Sequence, residues 1–363
     1  MMISQKLVSA GSLLLVCAAL LLACGRETSE APGSAAQSDA GASLQLSGAG
    51  STFVAPLMKR WIDEYRQDHP DVSFAYDEVG SGEGIKRFIA GEVGFGASDA
   101  AMSDEEIART QPPAGRGVRL VPVTAGEVVI AYNMPDIEGE LRLPRDVYVD
   151  IFLGKISRWD DPRIAAANPD LKLPPKLIQV VARRESSGTT FAFTNHLSAV
   201  SDVWRDSLGT GKQIDWPGGA MTALGNEGVA QRLKITQNSI GYLEYGFARR
   251  IGLPVAVLEN RAGVFVAPGA AAGKAALNAA APDTPDDLRL FLPDPPGNAA
   301  YPIVSLVWLL LNETYAEPQQ ALALKQAVDW WLVRGQSIAE EMGYIPLPES
   351  LVLRARRALD DIS

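Results

Sequence analysis

Cysteine and histidine are nearly missing from this chain, and their scarcity removes whole classes of chemistry. The only cysteines are Cys17 and Cys24, and the only histidines are His69 and His196. None falls in a metal-ligand spacing, which argues against a zinc site. Both histidines fall at helical positions and read as surface or helix-end residues. Positive charge is also in deficit. The formal net charge is −10 at pH 7, the wrong sign for a nucleic-acid binder. Any anion held by so acidic a chain must be held by local hydrogen bonds rather than by a positive field. Such a site can choose among anions by their protons.

Long apolar runs are equally scarce, with one exception. After Lys6 the chain is apolar almost without interruption from Leu7 to Ala23, the build of a secretory signal, assigned to residues 1–23. A transmembrane anchor is the alternative, because the run nearly reaches the ~20 residues a span needs. The run ends Leu21-Leu22-Ala23-Cys24, which resembles a bacterial lipoprotein cleavage box. That resemblance implies a lipidated Cys24 as first mature residue, holding the exported chain to the cell envelope. Gly25 follows, so the aspartate that signals inner-membrane retention in such lipoproteins is not there. With Cys17 inside the signal and Cys24 acylated, no thiol remains for a disulfide. Residues 24–43 are rich in Ala, Ser and Gly without periodicity, a flexible tether.

What the chain does have is three Gly- and Ser-rich segments placed ahead of predicted helices. They are Gly48-Ala49-Gly50-Ser51-Thr52-Phe53, Gly80-Ser81-Gly82-Glu83-Gly84 and Arg183-Arg184-Glu185-Ser186-Ser187-Gly188-Thr189-Thr190. A helix start leaves amide donors unpaired and carries partial positive charge, so it seats oxyanions. Arg183 adds a planar fork of charged donors. Three such loops in one chain suggest a protein that surrounds a small anion.

Between the loops the pattern alternates. Leu44-Gln45-Leu46, Val72 to Tyr76 and Val93 to Ser98 read as strands, and the segments after the first two as helices. Val118 to Val123 and Glu127 to Asn133 read as two strands around Thr124-Ala125-Gly126, a crossover between lobes. Leu177 to Ala182 reads as a strand feeding Arg183, with a helix from Thr190 to Leu197. Pro268 to Asn298 reads as a variable Ala/Pro/Gly-rich stretch, and Tyr301 to Leu311 as a buried strand and second crossover. This βα alternation indicates a mostly parallel sheet, in which ligands sit beyond the carboxyl ends of the strands.

These segments, with Gly94-Phe95-Gly96-Ala97-Ser98-Asp99, Leu153 to Trp159, Asn226-Glu227-Gly228 and Ile240 to Tyr245, resemble the phosphate-binding subunit of bacterial phosphate ABC transporters. The resemblance runs through nearly the whole mature domain. It implies an α/β fold of the type II periplasmic-binding-protein kind, two lobes each with a mixed, mostly parallel sheet flanked by helices and joined by hinge crossovers. Lobe I would comprise 44–123 and 301–363, and lobe II 124–300. It implies phosphate contacts from Ser51, Thr52, Phe53, Ser81, Asp99, Arg183, Ser187, Gly188 and Thr189, with Glu185 orienting Arg183. Asp99 would turn anion binding into phosphate binding, because a carboxylate facing an oxyanion repels it unless a proton lies between them. Monohydrogen and dihydrogen phosphate carry that proton, and sulfate does not. Arsenate carries the same protons, so this argument does not separate it. Three residues depart from the family pattern: Arg184 stands where a small residue is usual, Glu185 where Asp is common, and Glu83 would bring negative charge to the cleft mouth.

The implied partners are inorganic phosphate, the permease and ATPase of an ABC importer, and the membrane through the lipid. No cofactor, no metal, no nucleic acid and a monomeric state are expected. Taken singly the residues have plainer readings: Asp99 as a helix cap, Arg183–Glu185 as a surface ion pair, Ser187 and Thr189 as caps. Another protonated oxyanion is the nearest rival ligand. A phosphatase or a serine hydrolase using Ser187 is the rival class, disfavoured because no Gly-x-Ser-x-Gly elbow surrounds Ser187 and His196 is the only histidine near it in sequence.

Overall fold

The computed structural model of the protein describes residues 44–110 and 117–363. The expected signal, Cys24 and the tether lie outside the described residues. Within them, no helix is long and apolar enough to cross a membrane.

The chain opens with β1 (Leu44–Gly50) and α1 (Ala55–Asp68). Pro56 sits in the first turn, where a missing N–H costs nothing. Leu57, Met58, Trp61, Ile62 and Tyr65 form the buried face of α1, at the spacing of one helical stripe. Next come β2 (Val72–Asp77), α2 (Ser81–Ile89), β3 (Phe95–Ser98) and α3 (Asp104–Ala108). A reciprocal capping box between Ser103 and Glu106 starts α3, so Asp99 is not its cap. The middle of the chain supplies β4 (Val118–Asn133), β5 (Arg142–Leu143), α4 (Arg145–Phe152), α5 (Pro162–Ala167), β6 (Gln179–Arg183), α6 (Gly188–Val200) and α7 (Asp202–Ser207). Then follow β7 (Met221–Ala223), α8 (Gly225–Ile235), β8 (Ser239–Glu244), α9 (Tyr245–Arg250), β9 (Val257–Glu259) and β10 (Phe265–Val266). The chain finishes with α10 (Ala270–Ala280), β11 (Val304–Asn312), α11 (Pro318–Val333), α12 (Gly335–Met342) and α13 (Glu349–Ala358).

The main sheet has the order β2-β1-β3-β11-β4-β8-β6-β7, and β10-β9-β5 form a small second sheet. In the first half, β1 runs parallel to β2 and β3; in the second, β6 runs parallel to β7 and β8. β11 and β4 are the antiparallel strands between them. β4 serves both halves: Val118 to Glu127 pair with β11, and Val128 to Asn133 pair with β8. The sequence suggested two strands here, but β4 is continuous through Thr124-Ala125-Gly126. Gly126 breaks the pattern for a packing reason, since a Cβ there would lie 2.6 Å from the Phe53 ring. The second crossover lies alongside, where Val128 N donates to Ile303 O at 2.9 Å just before β11 begins.

The Ala-rich stretch from Pro268 onward contains α10, an unforeseen helix. It leans toward the first half: Lys274 pairs with Glu340 at 2.5 Å, and Trp308 Nε1 donates to Leu288 O at 2.8 Å. The chain then returns to the second half, where Arg145 grips Asp294 through two parallel bonds of 2.9 and 2.7 Å.

His196 is fully buried, contrary to the surface reading, because α6 is covered on several faces. Its Nδ1 lies 2.6 Å from Pro293 O and its Nε2 2.7 Å from the Tyr148 hydroxyl. A carbonyl only accepts, so Nδ1 carries the proton and Nε2 accepts from tyrosine. Burial pushes its pKa down to about 4. Two buried carboxyls flank the crossover with the opposite tendency. Burial pushes Glu127, which accepts from Gly269 N at 3.0 Å, up to about 8, and Glu244, which caps α9, up to about 7. Neutral His196 contributes stability that is lost as pH falls from 6.5 through about 4. The two carboxyls contribute stability that is lost as pH rises from 4.5 through about 7 and about 8. Above pH 4.5 the two carboxyls outweigh the one histidine, so these groups together are expected to place the melting-temperature maximum of the protein alone close to pH 4.5, with a decline from there through about 8. Glu127→Gln should flatten the alkaline arm of that profile, and an arm of unchanged slope would remove Glu127 as its source.

Candidate anion-binding site

The carboxyl ends of the parallel strands in both halves face one another. β1 delivers Ser51, Thr52 and Phe53 ahead of α1, and β3 delivers Asp99. Ser81 opens α2, and Gly80 before it has a positive φ of 92°, a conformation that favours glycine. From the second half, Arg183 is the last residue of β6, and Ser187-Gly188-Thr189 start α6. Asn226 stands at the start of α8.

Arg183 is the hub. Its side chain is 1% exposed, so the ion pair with Glu185 is buried and not the surface pair that the residues read singly would give. Nε donates to Glu185 Oε1 at 2.8 Å, and Nη2 contacts the same oxygen. The longer acid is accommodated by this one-oxygen grip, which also accepts from Gly225 N at 3.0 Å. That leaves Nη1 to donate to Thr189 Oγ1 at 3.0 Å and Nη2 to Thr52 Oγ1 at 3.0 Å. Asp99 is the complementary group. It is 2% exposed, and it accepts from Ser81 Oγ at 2.5 Å and from Thr189 Oγ1 at 3.0 Å. Gly188 packs directly over it: a Cβ there would lie 2.4 Å from Asp99 Cγ and 2.5 Å from Ser81 Oγ. The two halves also meet through the backbone, with Gly82 N donating to Ser186 O at 3.0 Å.

Thr52, Ser81, Asp99, Arg183, Gly188 and Thr189 thus converge as the sequence suggested. Ser187 caps α6, its Oγ accepting from Thr190 N at 3.1 Å, and its own proton stays available to donate. Ser51 and Phe53 are engaged with each other: the Phe53 amide donates to Ser51 Oγ at 3.1 Å, and reaches a ligand only by exchanging that bond. Glu83 turns aside to Arg87 at 3.2 Å and Lys86 at 3.6 Å, and Arg184 is exposed. Neither departure from the pattern touches the site.

Two participants went unassigned in the sequence. Asn226, fully buried, donates to both Thr52 and Thr189. Tyr242 accepts from Arg183 N at 3.2 Å and shares a 2.6 Å bond with Thr190. Burial pushes the Tyr242 pKa up to about 12, so it keeps its proton. Asn226 was visible only as part of a Gly-flanked motif, and its partner Thr52 is remote in sequence.

A groove of about 630 Å³, lined by Thr52, Lys59, Glu78, Glu185, Glu227 and Arg250 among others, opens beside Thr52. Its rim cations are matched by acids, Lys59 with Glu78 at 2.8 Å and Arg250 with Glu227 at 3.5 Å. The site thus offers aimed donors rather than a basic funnel. Ser187 and His196 are not paired with each other: Ser187 Oγ accepts from a backbone amide, and the two ring nitrogens of His196 face Tyr148 and Pro293. Among the described residues, no group of three or more His, Cys, Asp or Glu could hold a metal ion.

A model of the PBP superfamily domain matches residues 35–332. The phosphate-binding protein PstS of Pasteurella multocida is 37% identical over 308 residues, covering 85% of this chain and 87% of that protein. Its namesake in Methanocaldococcus jannaschii is 38% identical over 322 residues, covering 83% and 82%. Among solved structures, the high-affinity periplasmic phosphate-binding protein PfluDING, bound with phosphate, superposes with a TM-score of 0.68 at 22% identity, covering 86% of this chain and 93% of that one. The phosphate-binding protein of Stenotrophomonas maltophilia gives 0.64 at 19%, with the same coverage. At such identities the superpositions speak for the fold, and the sequence relatives speak for the family. The chain belongs to the PstS phosphate-binding proteins of the PBP superfamily.

Proposed function

We propose that the protein captures inorganic phosphate between its lobes and delivers it to a membrane ABC permease, acting as a binding protein and not as an enzyme. The observation that carries this reading is Asp99, a buried acceptor set among the donors Arg183, Thr52, Thr189, Ser81 and the first-turn amides of α6. Phosphate would replace the direct bonds that these groups make to one another. Its unprotonated oxygens take the donors, and its proton goes to Asp99. Lobe I comprises the first half of the main sheet and lobe II the second, joined at Glu127–Val128 and Ile303–Val304. Higher affinity of the closed arrangement for phosphate drives closure. Export and lipidation at Cys24 would keep the domain at the outer face of a membrane or in the periplasm, where the permease accepts its cargo.

Calorimetric titration of the domain without residues through Cys24 tests this. Phosphate is expected to bind one to one, with sulfate silent. In Asp99→Asn the ratio of the two affinities should collapse by about 1000-fold, because an amide no longer clashes with a fully deprotonated anion. Unchanged discrimination in that variant would move selectivity elsewhere, and no phosphate heat in the unaltered domain would refute the function.

A further inference from the structure

We infer that Lys212 and Glu106 form a latch between the lobes that holds them closed and slows phosphate release, although neither side chain belongs to the anion site. This rests on the phosphate-binding reading above and names a pair that keeps the closed form shut.

The pair is built from both halves of the molecule. Glu106 lies in α3, the short helix that follows Asp99, and Lys212 lies in the segment between α7 and β7. The Lys212 ammonium donates to Glu106 Oε1, and the two side chains are only 23% and 16% exposed. Each end is fixed independently of the other. Glu106 Oε2 accepts from Ser103 N at 3.0 Å as part of the capping box. Arg289 holds the start of α3, pairing with Asp104 at 2.7 Å and donating to Met102 O at 3.3 Å. On the other side, Lys212 O accepts from Ser187 N at 2.7 Å, directly at the start of α6. Beside it, Gly211 N donates to Thr194 Oγ1 at 3.0 Å, and Thr210 Oγ1 to Ser198 Oγ at 3.0 Å. The latch thus ties the segment after Asp99 to the loop that presents Ser187, Gly188 and Thr189. The ion pairs lining the groove beside Thr52 differ, since Lys59–Glu78 and Arg250–Glu227 each stay within one half.

An exposed ion pair contributes little, because two flexible chains must be ordered and water screens the charges. Here the capping box already orients the carboxylate, and the closed lobes shield the pair from water. When the lobes part, both groups return to solvent. The pair therefore stabilises the closed form alone, and the balance between open and closed forms is what affinity draws on. It opposes opening, so it acts on the rate at which phosphate leaves more than on the rate at which it arrives. The flexible lysine stem lets the pair persist while the site groups exchange their direct bonds for bonds to phosphate.

The test is a double-mutant cycle on the domain without residues through Cys24, using Lys212→Met and Glu106→Gln. Glutamine preserves the capping box while removing the charge. Calorimetry gives affinity, and rapid mixing of bound radiolabelled phosphate with an excess of unlabelled phosphate gives the release rate. Each single variant should bind about tenfold more weakly, through faster release and with association within about twofold of the unaltered domain. The double variant should be no weaker than either single one, because the pair can be lost only once. Losses that multiply in the double variant, or that fall on association, would overturn the proposal. Lys212→Arg keeps the charge and the reach and should bind within about threefold of the unaltered domain. A loss in it equal to that of Lys212→Met would assign the effect to the shape of the loop and also overturn the latch. No phosphate binding by the unaltered domain is a different outcome and would refute the function. The latch is then judged by small-angle scattering, where Lys212→Glu sets two acids face to face and should enlarge the radius of gyration; an equal radius would overturn it.

Discussion

Arg183→Lys is expected to lower phosphate affinity by about 1000-fold, or about 4 kcal/mol. The reason is geometric and not a matter of charge. Arg183 sends Nε to Glu185, Nη1 to Thr189 and Nη2 to Thr52, and these partners lie around the plane of one guanidinium. A lysine ammonium concentrates its donors on one nitrogen and cannot address both threonines and the acid together. Whichever partner is dropped stays buried. Glu185 left without its cation would be the costliest, since removing one member of a buried pair typically costs about 3–5 kcal/mol. Calorimetry gives the affinity, and thermal melting without phosphate shows the stranded acid as a lowered midpoint. An affinity within tenfold of the unaltered protein would remove the guanidinium from the binding shell.

Gly188→Ala is expected to cost about 10- to 100-fold in affinity while leaving the stability of the phosphate-free protein nearly unchanged. The added methyl would lie 2.4 Å from Asp99 Cγ and 2.5 Å from Ser81 Oγ, both across the lobe boundary. Neither neighbour can retreat easily, because Asp99 and Ser81 are bonded to each other at 2.5 Å. Overpacking of this kind costs about 1–3 kcal/mol, and here it arises only when the lobes approach. Small-angle scattering should show the unaltered protein contracting on phosphate addition and the variant contracting less. Equal contraction in the two would mean that the start of α6 can shift enough to take a side chain.

The site was more legible in the sequence than its surroundings were. Thr52, Ser81, Arg183 and Thr189 announce themselves locally, through small residues at strand ends and hydroxyls at helix starts, and such signals depend on near neighbours. Asn226 does not. Its partner Thr52 lies 174 residues away, and a lone Asn at the start of a helix looks like a cap. His196 was misplaced for a related reason. α6 buries residues around most of its circumference, so it lacks the polar stripe by which an exposed position is recognised. The helix α10 was hidden by the Gly and Pro residues around it, although its Ala-rich run has high helix propensity. Thr124-Ala125-Gly126 looked like a break because small residues usually mark turns, whereas here Gly126 makes room for Phe53.

The strand order has a consequence for how the molecule comes into being. β3 and β4 follow each other in the chain with only α3 and one connecting segment between them, yet they never pair; β11, made from residues 304–312, lies between them. Until that late segment has emerged, both strands present unpaired edges and the widest contacts of the sheet do not exist. Folding must wait for a pairing of very high sequence separation, which makes it slow. Slowness of that kind suits a chain proposed to cross a membrane before it acquires its shape, because it keeps the newly made polypeptide threadable while the translocation machinery draws it through.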